Sequence, residues 1–189
     1  MMSFLDQVFA LVCGQEPSHS WAPGGNLLPI CQRCTGLYAG AAIAAALQLI
    51  LRLQPRSAYL WFHGLLLLQM VPFGFHLVPQ GPVLRTFSGQ LFGLGVMAYL
   101  WLVPGSWLAR GTGRKPEPWK ACLYGVSAGA GSFLVLAGSA WGGPLAAVII
   151  SWIGLAGLAA LVVLILANLA FFLSSAWAWA RRVGQRAMP

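Results

Sequence analysis

Residues 145–179 read LAAVIISWIGLAGLAALVVLILANLAFFLSSAWAW and contain no charged side chain. This stretch is longer than the roughly 20 apolar residues that an α-helix needs to cross a bilayer. We therefore predict one long, tilted transmembrane helix that leaves the membrane near Ala176. The composition of the whole chain also indicates a membrane protein. Of its 189 residues 59% are hydrophobic and only 7% are charged, whereas soluble domains have roughly 25% charged residues.

Four more apolar segments precede this run, and glycine, proline or basic residues separate them. We predict transmembrane helices over 35–53, 58–78, 83–103, 119–141 and 145–179. The predicted fold class is an all-α integral membrane protein with about five transmembrane helices and an N-terminal extracytoplasmic Cys/His loop. In this division, residues 1–34 form an interfacial helix and the Cys/His-rich loop, 35–180 form the five-helix bundle, and 181–189 form a basic cytoplasmic tail.

The basic residues predict the orientation of the chain. If the connection after the first span is cytoplasmic, nine basic residues lie inside: Arg52, Arg56, Arg110, Arg114, Lys115, Lys120, Arg181, Arg182 and Arg186. Only Arg33 and Arg85 then lie outside. Because basic loops stay on the cytoplasmic side, we expect the N-terminus outside and the C-terminus inside.

The residues suited to chemistry gather in the N-terminal loop. Cys31 and Cys34 form the CxxC of Cys31-Gln32-Arg33-Cys34, and Cys13 and His19 lie upstream of it. Thiolates and imidazole are the usual ligands of zinc, and four such ligands make a closed structural site. We therefore predict a zinc site formed by Cys13, His19, Cys31 and Cys34.

Two other chemistries fit the same cysteines. The pair Cys31 and Cys34 precedes the first span, and a helix N-terminus favours the reactive thiolate. Such a pair would suit electron exchange with a quinone or a periplasmic thiol, with Cys13 as the resolving partner. A plain structural disulfide, or unreactive thiols, would also suit an oxidising compartment.

Several polar residues fall near the same predicted outer edge of the membrane. Arg85 begins the third span, Gln90 follows further in, and His76 precedes the tight turn between the second and third spans. An ionisable residue within a span is a functional candidate. We predict that Arg33, His76, Arg85 and Gln90 orient the ligands or bind a ligand in a pocket under the loop. His63, in contrast, is expected at the membrane surface.

Two blocks of the sequence carry a recognisable signature. The first runs Cys13-Gly14-Gln15, then His19-Ser20-Trp21, then Pro29-Ile30-Cys31-Gln32-Arg33-Cys34-Thr35-Gly36-Leu37-Tyr38-Ala39-Gly40. The second runs Leu84-Arg85-Thr86-Phe87-Ser88-Gly89-Gln90-Leu91-Phe92-Gly93. Together they resemble the signature of the bacterial membrane-protein family named domain of unknown function 2085.

The resemblance covers about residues 13–104 and departs from the family pattern at three positions, one of which is the acidic position of the second block, where Phe75 or His76 lies nearby instead. Gly14 stands where the family has a histidine, and His19 stands where it has an arginine. The resemblance implies a cysteine-rich module in a bacterial inner membrane. If the cysteine and histidine residues of the family bind a metal, either His19 substitutes as a ligand here or the site has lost its metal. It implies no particular reaction.

We expect a binding or assembly subunit rather than an enzyme. The zinc site would cap a bundle in the lipid bilayer that docks other membrane protein subunits or a lipophilic small molecule, because Gly- and Ala-rich helices pack closely. The alternative is a membrane thiol–quinone oxidoreductase that uses Cys31 and Cys34. Nucleic acid binding is not expected, since the basic residues are scattered instead of forming one patch.

Overall fold

The computed structural model describes residues 4–53, 57–75, 77–109 and 118–186. Its helices are α1 (Phe4–Ala10), α2 (Gln32–Leu51), α3 (Ser57–Leu68), α4 (Met70–Gly74), α5 (Pro82–Leu100), α6 (Leu102–Ala109), α7 (Pro118–Trp141) and α8 (Pro144–Arg186). Helices make up most of the described chain, which confirms the all-α prediction. Five residues used in the predictions lie outside the described residues: Arg56, His76, Arg110, Arg114 and Lys115.

Three helices are long and apolar enough to cross a membrane, counting only the described residues: Gln32–Leu51, Trp119–Trp141 and Pro144–Val183. They correspond to the first, fourth and fifth predicted spans. Helix α8 has 43 residues and is therefore roughly 65 Å long at 1.5 Å per residue. It is about twice as long as the hydrocarbon core is thick. The count of five spans stays a prediction.

The second predicted span, 58–78, is interrupted within its last third. Helix α3 ends at Leu68, and the short helix α4 follows after a single turn residue. Pro72 explains the break, because proline has no N–H to donate to the carbonyl four residues back, which is that of Leu68. The helix is therefore split where the sequence removes one hydrogen bond.

A second proline acts in the same way between α5 and α6. Pro104 leaves the carbonyl of Leu100 without its usual helical partner, and α5 ends at this residue. Asn168 of α8 fills the gap, since its side-chain Nδ2–H donates to the Leu100 carbonyl over 2.8 Å. This bond ties the third predicted span, 83–103, to the middle of α8.

Helices α2 and α5 form the most extensive helix contact, and their backbones touch. Gly36 and Gly40 of α2 face Gly89 and Gly93 of α5. None of the four positions has room for a side chain, and a Cβ on Gly40 would overlap the carbonyl of Gln90. Small residues spaced four apart allow such close contact between membrane helices. The Gly- and Ala-rich face of the first span is therefore the contact with α5.

Residues 4–31 fold onto the end of the bundle at which α2 and α5 begin. Phe9 of α1 is fully buried, and its ring stacks on that of Tyr38 with 5.9 Å between the centroids. Trp21 donates its indole N–H to the hydroxyl of Thr86 over 2.7 Å. The N-terminal segment is thus attached to both α2 and α5.

Candidate functional site

Three cysteines meet where the N-terminal segment joins α2. Cys13 follows α1, and its backbone N–H donates to the carbonyl of Phe9 over 2.8 Å. Cys31 is the N-cap residue of α2, and Cys34 lies in the first turn of that helix. The three sulfur atoms all lie within 4.8 Å of one another. Helix α2 begins at Gln32, three residues before the predicted start, and so includes Cys34.

The cluster favours a negative charge on Cys13. This residue is buried, and its sulfur accepts the backbone N–H of Cys31 over 3.3 Å. Hydrogen bonds from the thiols of Cys31 and Cys34 outweigh the effect of burial, so the pKa of the Cys13 thiol lies well below its usual value. The thiolate is the form that binds metals, so these hydrogen bonds suit Cys13 to be a metal ligand.

The spacing of the three thiols suits a tetrahedral metal ion. Zinc–sulfur bonds are about 2.3 Å long, so two sulfurs on one zinc lie about 3.8 Å apart. The 4.8 Å limit on the observed separations is compatible with this distance. A metal bound here would join two chain segments, because Cys13 precedes the loop while Cys31 and Cys34 follow it.

His19, the fourth predicted ligand, is not within the 4.8 Å group. Its side chain is exposed and lines a cleft of about 200 Å³ beside the cluster. The described residues that line this cleft are Gly14, Gln15, Glu16, His19, Cys31, Arg33 and Arg85. His19 therefore shares a cleft with Cys31, and its role as a metal ligand stays a prediction.

Arg33 and Arg85 both line the cleft, and their predicted role in ligand binding stays a prediction. Arg33 donates through Nη2 to the carbonyl of Phe73 over 3.2 Å and to Oε1 of Gln80 over 2.7 Å. The amide of Gln80 donates to the same Phe73 carbonyl over 2.6 Å. Arg33 thus also holds α2 to the connection between α4 and α5.

Gln90 lies away from the cleft, inside the bundle. It is fully buried, and its Nε2–H donates to the backbone carbonyl of Ser132 over 3.0 Å. The side chain therefore connects α5 to α7. His76 lies outside the described residues, so its proposed place beside the cleft rests on the sequence.

Sequence reasoning missed an apolar groove on the side of the bundle. The groove lies among α3, α5 and α7, has a volume of about 320 Å³ and is lined mostly by apolar side chains. Gly125 and Gly129 form part of its α7 wall, and a Cβ on either would meet open space. The four-residue spacing of these two glycines was the available signal, but it is equally typical of helix contacts.

Three polar side chains line this groove: His63, Tyr124 and Ser132. His63 is only 1% exposed instead of lying at a surface, because its Nδ1 lies 2.8 Å from the Tyr59 carbonyl and its Nε2 lies 3.2 Å from the Tyr124 hydroxyl. The Ser132 hydroxyl, in contrast, is buried without a hydrogen-bond partner among the described residues. Ser139 on the same helix donates to the carbonyl four residues back.

No curated protein and no solved structure is recognisably similar to this chain. A protein-family model matches residues 13–99, which include the three clustered cysteines, both arginines of the cleft and the α2–α5 contact. The resemblance seen in the sequence is therefore confirmed, and over these residues the chain matches the family described as predicted membrane protein (DUF2085).

Proposed function

We propose that this membrane protein is a binding subunit that takes a lipophilic molecule into the groove among α3, α5 and α7. The observation that carries the proposal is Ser132, which lines the apolar groove and whose buried hydroxyl has no hydrogen-bond partner in the described structure. Buried polar groups are almost always hydrogen-bonded. A lipophilic ligand with one hydrogen-bonding group would provide the missing partner.

The groove also has the size and chemistry of a ligand site. Its volume of about 320 Å³ falls at the lower end of the roughly 300–1,000 Å³ range of small-molecule pockets. Gln90 does not line the groove, but its buried side chain donates to the Ser132 carbonyl and so supports the position of Ser132. We therefore propose a neutral, long-chain ligand with a hydroxyl group that bonds to Ser132.

Photolabelling with a diazirine-bearing long-chain alcohol tests this function. The wild-type protein should give adducts on the residues that line the groove. Gly129→Leu should lose most of them, because the new side chain fills open space in the groove. Ser132→Ala should weaken labelling by about two- to tenfold, which corresponds to one hydrogen bond.

The matched control is Ala170→Leu, which introduces the same side chain at an exposed position of α8. This variant should label like the wild-type protein. Labelling that spreads evenly over all lipid-facing helices, or that Gly129→Leu leaves unchanged, would contradict a binding role for the groove.

We also propose that zinc held by Cys13, Cys31 and Cys34, with His19 as the fourth ligand, caps the bundle. Such a site would fix the N-terminal segment, which already contacts α2 and α5 through Phe9 and Trp21. A metal site at this end of the bundle would hold the helices that form the groove in fixed relative positions. Support for the metal comes from the proximity of the three sulfur atoms.

Other membrane protein subunits are proposed as partners of α8. Its large apolar side chains beyond the bundle, among them Phe172, Trp177 and Trp179, are more than half exposed. The lipid bilayer covers such a surface by default, and helices of a partner subunit would cover it in an assembly.

The second candidate function is a thiol–quinone oxidoreductase. Cys31 favours it, because this residue caps α2 and also lines the cleft, where a substrate would reach its sulfur. In this case Cys31 and Cys34 would alternate between a dithiol and a disulfide, and the two electrons and two protons would pass to the quinone.

We propose a multi-pass protein of the bacterial inner membrane, with the N-terminus outside and the C-terminus inside. Nine basic residues on one side against two on the other support this orientation. A green fluorescent protein fused to the C-terminus should fluoresce, and alkaline phosphatase at the same position should be inactive. The reverse pair of results would place the cysteine cluster in the reducing cytoplasm.

A further inference from the structure

We propose that the cleft beside the cysteine cluster binds a phosphate group. Arg33 from α2 and Arg85 from α5 both line this cleft. Guanidinium groups bind the oxygens of phosphate through two parallel hydrogen bonds, which makes arginine the usual residue for this purpose. Two arginines from two different helices are brought to one cleft of about 200 Å³.

Arg33 is held in a fixed position by groups other than a ligand. Its Nη2 donates to the carbonyl of Phe73 and to the side chain of Gln80, which fixes the plane of the guanidinium. Its Nε is buried and has no hydrogen-bond partner in the described structure. A buried donor of a charged group is rarely left without an acceptor, and a phosphate oxygen would supply one.

Arg85 adds a second positive charge that nothing in the described structure neutralises. It is half-buried in the first turn of α5. Among the described residues that line the cleft, Glu16 has the only carboxylate, and this exposed residue accepts a hydrogen bond from Ser18 over 3.0 Å. Among the described side chains that line the cleft, two guanidinium groups thus stand against one carboxylate.

The helices themselves add to this positive potential. The N-termini of α2 and α5 both lie at the end of the bundle that carries the cleft. The N-terminus of a helix bears a partial positive charge and favours anions within its first turn. The positive charges of the two arginines therefore add to the partial positive charges of the two helix N-termini.

The phosphate has two plausible sources, which share the same chemistry. The cleft lies where α2, a candidate membrane span, begins, so the phosphate of an anionic lipid headgroup would reach it from the bilayer. Free phosphate would reach it from the aqueous side. Neither arginine belongs to the sulfur cluster or lines the groove, although Cys31 of the cluster also lines the cleft.

Two binding measurements on Arg85→Gln test the site. Inorganic phosphate is titrated into protein in an uncharged detergent and followed by phosphorus NMR. In parallel, native mass spectrometry counts the lipids retained from an equal mixture of phosphatidylglycerol and phosphatidylcholine. Arg85→Gln should weaken whichever binding is present by about tenfold or more, as expected for the loss of charge-assisted hydrogen bonds.

Arg52→Gln is the matched control, because Arg52 is exposed at the opposite end of α2. It should leave phosphate and lipid binding unchanged. Selective retention of phosphatidylglycerol would support a lipid source, and binding of inorganic phosphate alone would support a soluble one. The proposal would be overturned if the protein bound neither phosphate nor phosphatidylglycerol, or if Arg85→Gln and Arg52→Gln lost binding equally. The metal content of Arg85→Gln should match that of the wild type, so that a failed phosphate site is distinguished from a failed metal site.

Discussion

Cys31→Ser is expected to remove the bound metal and to free the N-terminal segment from the bundle. The substitution takes away one of three sulfurs that lie within 4.8 Å of one another. Changes outside the ligand shell of a metal already cost about 10–100-fold in affinity, so loss of a ligand should cost more. Metal analysis of purified protein should fall from about one zinc per chain to almost none.

This variant should remove the metal without disrupting the start of helix α2. The side chain of Cys31 makes no capping hydrogen bond to α2, and serine is among the best N-cap residues. Cys31→Ser should therefore keep the start of α2 and lose only the thiolate. Limited proteolysis should then cut within residues 14–30 much faster than in the wild type, because the loop would lose one of its attachments.

Cys122→Ser is the matched control, since Cys122 is exposed on α7 and lies outside the cluster. It should keep the metal and the protease resistance of the wild type. Free thiols counted on the same samples distinguish the two candidate functions. A metal-free wild type with a reducible Cys31–Cys34 disulfide would favour the oxidoreductase, and a metal that survives Cys31→Ser would place it elsewhere.

Local composition was enough to predict the helices and the residues of the cluster. Apolar runs of the right length predict spans whatever their neighbours are, and three of the five meet this criterion in the structure. The cysteines could be identified as candidate metal ligands because thiols are rare in this chain and CxxC is a common spacing of zinc ligands. The split after Leu68 also has a local cause in Pro72, although the prediction of an unbroken span ignored it.

Contacts between distant segments could not be predicted in the same way. Nothing in the sequence near Ser132 indicates that α3 and α5 lie opposite it, so the groove was missed. The polar partners of His63 are four and 61 residues away along the chain, and a single-sequence reading therefore placed this residue at a surface. Gln90 was assigned to the pocket under the loop because of its distance from Arg85 along the chain, whereas its side chain faces α7.

Gly40→Ala is expected to destabilise the bundle, whereas the same substitution at Gly125 is not. A Cβ on Gly40 would overlap the carbonyl oxygen of Gln90 and lie 3.0 Å from the Gln90 Cα. These are backbone atoms, so no side-chain rotation can relieve the clash and α2 must move away from α5. Overpacking of this kind costs about 1–3 kcal/mol or more.

The stability of both variants is measured by unfolding in mixed micelles with increasing SDS. Gly125 is in a helix of similar length, but its Cβ would meet open space, and alanine is about 1 kcal/mol better than glycine within a helix. Gly125→Ala should therefore unfold at the same or a higher SDS fraction than the wild type, and Gly40→Ala at a clearly lower one. Equal midpoints for Gly40→Ala and the wild type would mean that α2 and α5 are not in backbone contact. Because Cys31, Arg33 and Arg85 lie on these two helices, a separation of the pair should also weaken the metal and phosphate sites together.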